Sequence, residues 1–230
     1  METPAATGAI GDWVLYKNNQ LIAFNKPPAL PTQPDKGEEK SLLDLGEIYT
    51  KSKLYLIHRL DRPAGGIVLF AKNKNALAHL NQQFSKRSVR KQYLAVVQAA
   101  PPAETGTLQH WLVKKPGQNK TTLSEVFQEN ATEAILKYQL LGKSDRYFLL
   151  SVELVTGRHH QIRAQLAAIG CCIKGDVKYG ARRSNPDRSI HLHAWQLEFQ
   201  HPVSGEQVTL VAPPPATDPV WAAFSQQGFF

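Results

Sequence analysis

The chain has 230 residues, 42% hydrophobic, 20% charged and 9% aromatic, which supplies a core and excludes a disordered or fibrous class. Lys and Arg number 27 against 19 Asp and Glu, a formal charge of +8 that favours a polyanionic partner, the plain alternative being a soluble basic protein that meets no nucleic acid. The apolar run Ile67–Ala71 is far shorter than the ~20 residues a spanning helix needs, so no membrane partner is expected.

Residues 1–12 read as a flexible end, and Met1-Glu2-Thr3-Pro4 lacks the basic start and apolar run of a secretory leader. Trp13–Tyr16 and Leu21–Phe24 predict a hairpin turning at Lys17–Gln20. Asn25-Lys26-Pro27-Pro28-Ala29-Leu30-Pro31 is a loop stiffened by three prolines, and the polar stretch Gln33–Lys40 reads as exposed and mobile. Ser41 caps a short helix through Tyr49. Tyr55–Leu60 is extended or irregular, and Ile67–Ala71 is a buried strand. Leu77, Leu80 and Phe84 share one face of a helix over 75–84, and Tyr93–Val97 is a further strand. Pro101–Glu129 reads as strands and loops at a domain edge.

Tyr147–Val155 is a strong strand, Gly157 supplies a turn, and His160–Ile169 is a helix that Gly170 stops. Cys171 and Cys172 are adjacent, a spacing that rarely forms an unstrained disulfide, so a reducing, cytoplasmic setting is expected. Ile190–Phe199 alternates, with His191, His193, Trp195, Leu197 and Phe199 to one side, and Val208–Val211 is a last strand before a C-terminal tail over 213–230. Strands and helices mix without a regular βαβ beat, which predicts an α+β fold with one main domain over 13–212.

Three segments concentrate chemistry. In His58-Arg59-Leu60-Asp61-Arg62-Pro63-Ala64-Gly65-Gly66 a carboxylate lies between two arginines, which favour its ionised form and suit phosphates. Taken alone, such a segment more commonly marks a surface ion pair at a loop. Gly157-Arg158-His159-His160-Gln161-Ile162-Arg163 puts polar side chains at a strand-to-helix junction, where anions bind, or simply gives a helix a solvated basic end. Neither a carboxylate nor a cysteine cluster accompanies the His pair in sequence, so no metal is expected. Arg90-Lys91-Gln92-Tyr93 sets an aromatic ring behind a basic run, which suits base stacking, although a single tyrosine is more often a core residue with a satisfied hydroxyl.

Together these segments resemble the RluA-type pseudouridine synthases. His58-Arg59-Leu60-Asp61 with Gly66 resembles the family pattern H-R-L-D-x-x-T-S-G. Gly157-Arg158-x-His160-Gln161-Ile162-Arg163 is similar to its third motif, Arg90–Val97 to its K-x-Y-x-A-x-V strand, and Asn25-Lys26-Pro27-Pro28 to its entry loop. Gly175-Asp176-x-x-Tyr179-Gly180 and Leu192-His193-Ala194 through His201-Pro202 complete the order, so the resemblance runs from about Trp13 to Ala212.

The resemblance implies the pseudouridine synthase fold: a mixed, mostly antiparallel sheet with flanking helices and a central RNA-binding cleft. It implies catalysis by Asp61, with Arg163 paired to it and Tyr93 stacking on the flipped uracil. Arg59 would fill the place of the extruded base, and Arg62, Lys26, Arg158, His160 and Ile162 would line the RNA-binding surface. The expected partner is tRNA or ribosomal RNA, bound by a monomer without an S4-like module and without a cofactor. An RNA-binding protein of the same fold with no catalysis is the alternative, and a glycosylase releasing free base comes third. Two departures bear on substrate choice. Ala64-Gly65 stands for the usual Thr-Ser, and Gln165 stands where His often follows.

Overall fold

The computed structural model describes residues 8–35, 37, 39–114, 120–124 and 126–230. Residues 1–7 of the expected loose end, Lys36 and Glu38 of the polar stretch, and 115–119 and Glu125 of the expected domain edge lie outside the described residues.

In chain order the elements are β1 (Val14–Lys17), β2 (Leu21–Lys26), α1 (Leu42–Thr50), β3 (Tyr55–Leu56), β4 (Gly65–Ala71), α2 (Lys74–Ser85), β5 (Arg90–Val97), β6 (Thr105–Lys114), β7 (Thr121–Ser124), β8 (Ala131–Lys143), β9 (Phe148–Leu154), α3 (Gln161–Ala168), β10 (Leu192–Gln200), β11 (Gln207–Val211) and α4 (Pro219–Ser225). Short 3-10 turns span Ile10–Trp13 and Val177–Tyr179. The class is α+β, as expected. Among the described residues no helix is long and apolar enough to cross a membrane. The chain divides into two compact units, residues 1–91 with 193–215 and residues 92–192 with 216–230.

In the first unit β4 is the central strand and is buried along its whole length. β2 pairs with it antiparallel from Leu21↔Ala71 to Lys26↔Gly66. β3 pairs with its far end, while β10 runs parallel to its start at His193↔Gly65 and Ala194↔Gly66. β1 extends the sheet beyond β2, and β11 pairs antiparallel with β10. A strand covered on both faces reads as an unbroken apolar run, which is why Ile67–Ala71 shows no alternation. Leu21, Ala23, Ile67, Leu69, Leu197 and Phe199 pack with Ala76 and Leu80 of α2 on one face. On the other, Phe24 meets Phe70 edge-on at 6.1 Å, and Gly46 of α1 lies against Phe24 and Leu54. The cap expected at Ser41 forms as a box with Asp44, each side chain satisfying the other's backbone N–H.

In the second unit the antiparallel order is β5-β9-β8-β6-β7. Tyr179 and Ala164 of α3 pack with Leu112 and Ala134 of β6 and β8. The stretch read from sequence as a C-terminal tail carries α4, with Trp221 and Phe224 buried. Asp218 caps that helix by accepting from the Val220 and Trp221 N–H groups, and it also meets His191 at 3.0 Å. Those contacts hold the Asp218 carboxyl near 2, low for a carboxylate despite the burial that opposes ionisation.

Candidate active site

Asp61 sits in the loop between β3 and β4, and that loop is held from both sides. Thr32 Oγ1 donates to Leu60 O at 2.9 Å and lies 3.3 Å from Leu60 N, so one buried hydroxyl clamps both backbone groups of the residue before Asp61. Just after it, Ala64 N–H donates to Asp61 O at 3.0 Å and closes a turn. Arg62 Nε donates to Ala29 O at 2.9 Å, and the rest of its half-exposed guanidinium pairs with Asp35 and Glu39.

Lys26 ends β2 and is wholly buried. Its three ammonium hydrogens match three carbonyls, Pro27 O (3.0 Å), Leu30 O (2.8 Å) and Arg62 O (3.3 Å), which tie the proline loop to the Asp61 loop. Burial drives its pKa from 10.5 down to about 7; the nearby Asp61 carboxylate pulls it back up and Arg62 pushes it further down. His58 serves the same loop. Its Nε2 accepts the Leu69 N–H at 3.1 Å, taking a ladder position on β4 beyond the end of β3, and its ring stacks on Phe84. Desolvation, with help from Lys91, lowers its pKa to about 4, so the ring is the neutral acceptor that the bond requires.

The glycines after Asp61 let β10 approach. Gly66 has φ +108, and a Cβ there would lie within contact distance of the Ala194 backbone. A Cβ on Gly65 would come 3.0 Å from His193 Nδ1. The buried His193 ring stands Nε2 to Ala212 O at 3.2 Å, and burial drives its pKa to about 3, opposed by that bond and aided by the Lys26 charge. A side chain at position 65 would therefore press on the neutral His193 ring.

In the second unit Tyr93 lies half-buried on β5, opposite Val152 of β9. Arg163, one turn into α3, is buried and held by a two-pronged pair: Nε to Asp176 Oδ2 and Nη2 to Asp176 Oδ1, both 2.7 Å. Its guanidinium lies 5.1 Å over the Tyr179 ring. A buried charge pair this well matched fixes the plane of the guanidinium and leaves neither ion uncompensated. The Tyr179 hydroxyl accepts the Thr121 N–H (2.9 Å), sits 2.9 Å from His160 Nδ1, and is kept protonated by burial. α3 starts from His160 in the left-handed region at φ +55, with no side-chain cap of its own. Gln161 instead fastens the turn that leads into the helix: its Oε1 accepts from Arg158 N (3.0 Å) and Thr156 Oγ1 (2.8 Å).

The sequence candidates therefore fall in two groups. Lys26, Arg59, Asp61 and Arg62 belong to the first unit; Tyr93, Arg158, His160, Ile162 and Arg163 belong to the second. Arg59 is exposed and has no hydrogen bond or ion pair among the described residues. Arg158 is exposed and anchored by Nε to Glu133 O at 3.1 Å, whereas His160 and Ile162 are buried. Thr32, Asp176 and Tyr179 were given no role from sequence. Asp176 and Tyr179 stood inside a quoted motif, so the signal was there; Thr32 has no local signature, because its bond closes 28 residues of chain.

A family model described as RNA pseudouridylate synthase matches residues 20–168. An uncharacterised RNA pseudouridine synthase of Mycoplasma genitalium is 32% identical over 203 residues, covering 87% of this chain and 66% of the relative. A ribosomal large subunit pseudouridine synthase C of Rickettsia felis is 33% identical over 208 residues, covering 87% of this chain and 67% of the relative. The chain thus spans about two thirds of the length of these curated relatives. Among solved structures, human RNA pseudouridylate synthase domain containing 4 superposes with a TM-score of 0.75 at 26% identity, over 90% of each chain.

Proposed function

The chain belongs to the RNA pseudouridylate synthase family, and on that footing we propose that it isomerises uridine to pseudouridine in RNA with Asp61 as its essential carboxylate. The observation that carries the proposal is the family match over residues 20–168, which takes in the clamped Asp61 loop, Tyr93 and Arg163. The reaction breaks the N1–C1′ bond, turns the base, joins C5 to C1′, releases the C5 proton and leaves N1 with a proton in its place. Atoms and electrons balance within the nucleotide, so the chemistry needs no cofactor.

Asp61 is the carboxylate that engages the substrate as C1′ loses its base. Attack at C1′, attack on the ring and elimination to a glycal all draw on the same ionised oxygen. The clasp of Thr32 and Lys26 on the neighbouring backbone supports this role, because a nucleophile acts from a fixed position. Tyr93 stacks on the uracil and assists proton transfer at C5, and Arg163 supplies a fixed positive charge whose plane Asp176 sets. Arg59, exposed and uncommitted among the described residues, fills the place of the extruded uridine, which offsets a few kcal/mol of lost stacking. Arg62 and Arg158 contribute positive charge to the RNA surface, Lys26 steadies the Asp61 loop within its own unit, and the buried His160 and Ile162 support the start of α3 in theirs. The name of the Rickettsia relative makes large-subunit ribosomal RNA the first substrate to try, with tRNA second.

The test is to incubate the protein with each RNA, digest to nucleosides and separate them. Pseudouridine should accumulate as uridine falls, with no free uracil. Free uracil would make the protein a glycosylase, and an unchanged profile in both RNAs would leave it an RNA-binding protein.

A further inference from the structure

Residues 181–189 form a loop that is fixed within and basic without. Gly180 turns the chain at φ +102, and Arg188 lies in the left-handed region at φ +59. Between them the buried Asn185 has four partners. Its Nδ2 donates to Ser189 O (3.0 Å) and Ser189 Oγ (3.1 Å) and lies 3.1 Å from His191 Nδ1, while its Oδ1 accepts from Lys174 Nζ (2.7 Å). Asp187 Oδ1 takes the Ser189 N–H at 3.0 Å. The loop also closes on Gly175, where a side chain would meet Asn185 Nδ2 and Ser189 O at 2.7 Å. Gly175 directly precedes Asp176, the residue that holds Arg163.

On this frame Arg182, Arg183 and Arg188 are exposed, and none of their guanidinium groups has a hydrogen bond or ion pair among the described residues. Three cations within seven residues repel one another, and the acid among them, Asp187, is turned to the Ser189 N–H. A loop with a fixed backbone loses little freedom when its forked donors meet an anion. The other exposed residues, Ser184 and Pro186, add no large apolar side chain, so the apolar centre of a protein–protein interface is missing. Wet, charged, phosphate-directed contact fits this composition.

We propose that residues 181–189 are a phosphate clamp for the RNA substrate, with Arg182, Arg183 and Arg188 engaging its backbone. The identity of the polyanion rests on the pseudouridine synthase reading. The clamp positions RNA without reading sequence and acts on KM rather than on kcat.

Two triple variants test it, one with Gln and one with Lys at positions 182, 183 and 188. Binding of a single-stranded oligouridylate is measured across salt concentrations, alongside turnover and thermal unfolding. Three phosphate contacts predict that the Gln variant loses about two units from the slope of log Kd against log salt. At low salt its Kd rises at least ~10-fold, KM rises in step, and kcat holds. The Lys variant keeps the slope, and both keep the wild-type unfolding midpoint. An unchanged Kd and slope in the Gln variant, with wild type binding RNA, overturns the clamp. So does loss of polyglutamate binding without loss of oligouridylate binding, which would give the surface to an acidic protein. If the arginines carry RNA binding but wild type makes no pseudouridine, the clamp stands and the catalytic reading fails.

Discussion

Thr32 is the smallest device in the protein with a large consequence, since its hydroxyl serves both backbone groups of the residue that precedes Asp61. Thr32→Val keeps the shape and removes both bonds. It should cost ~1–2 kcal/mol in urea unfolding and reduce turnover with a smaller change in KM, because it loosens the carboxylate rather than the RNA contact. Arg163→Lys replaces a two-pronged fork by a point charge and leaves one Asp176 oxygen poorly matched. Turnover should fall on the order of 100-fold, and the unfolding midpoint should fall with it. At this scale charged residues stood out in the sequence and their partners did not. Lys26 and Arg62 both read as cations in a motif loop. Sequence could not show that three carbonyls enclose the first, or that Asp35 and Glu39 face the second, because those partners come together only when the loops fold.

Among the elements, β4 is the one on which the Asp61 loop hangs, and its start tolerates no side chain. Gly66→Ala would place a methyl group against the Ala194 backbone at a φ that side chains rarely adopt. The expected result is a loss above ~3 kcal/mol, read as insoluble expression or a sharply lowered urea midpoint. The Ile67–Ala71 strand, the Leu77–Leu80–Phe84 helix face and the Ser41 cap were legible because local pattern and tertiary burial agree there. β8 escaped, although Ala134, Leu136 and Tyr138 alternate inward along it, because polar residues dilute its flanks. α4 escaped because Pro213-Pro214-Pro215 reads as an end of structure and only seven helical residues follow. There the burial of Trp221 and Phe224, rather than propensity, holds the helix.

Over the whole molecule, the histidine shifts set the acid side of stability. His193 titrates near 3 and His58 near 4 in the native protein, against 6.5 when unfolded. Above pH 6.5 both rings are neutral in both states and the stability is fully present. As pH falls below 6.5 the unfolded chain takes up protons that the native protein refuses, so stability drops by ~1.4 kcal/mol per pH unit for each ring. That loss continues to about pH 4 for His58 and about pH 3 for His193. Lys26 adds a rise on the alkaline side, between about 7 and 10.5, where the unfolded chain still carries its proton and the native protein does not. Urea midpoints should therefore fall steadily from about pH 6.5 to pH 5, and a flat profile would mean that these rings are not neutral acceptors and donors. The formal charge of +8 fits the same molecule to RNA, but charge is common to binder and enzyme alike. Tritium release separates the two. RNA labelled at uridine C5 should lose tritium to water with wild-type protein and keep it with Asp61→Asn, while both proteins bind the RNA with similar affinity. Equal release by the two proteins, or none by either from ribosomal RNA and tRNA, would contradict a pseudouridine synthase that works through Asp61.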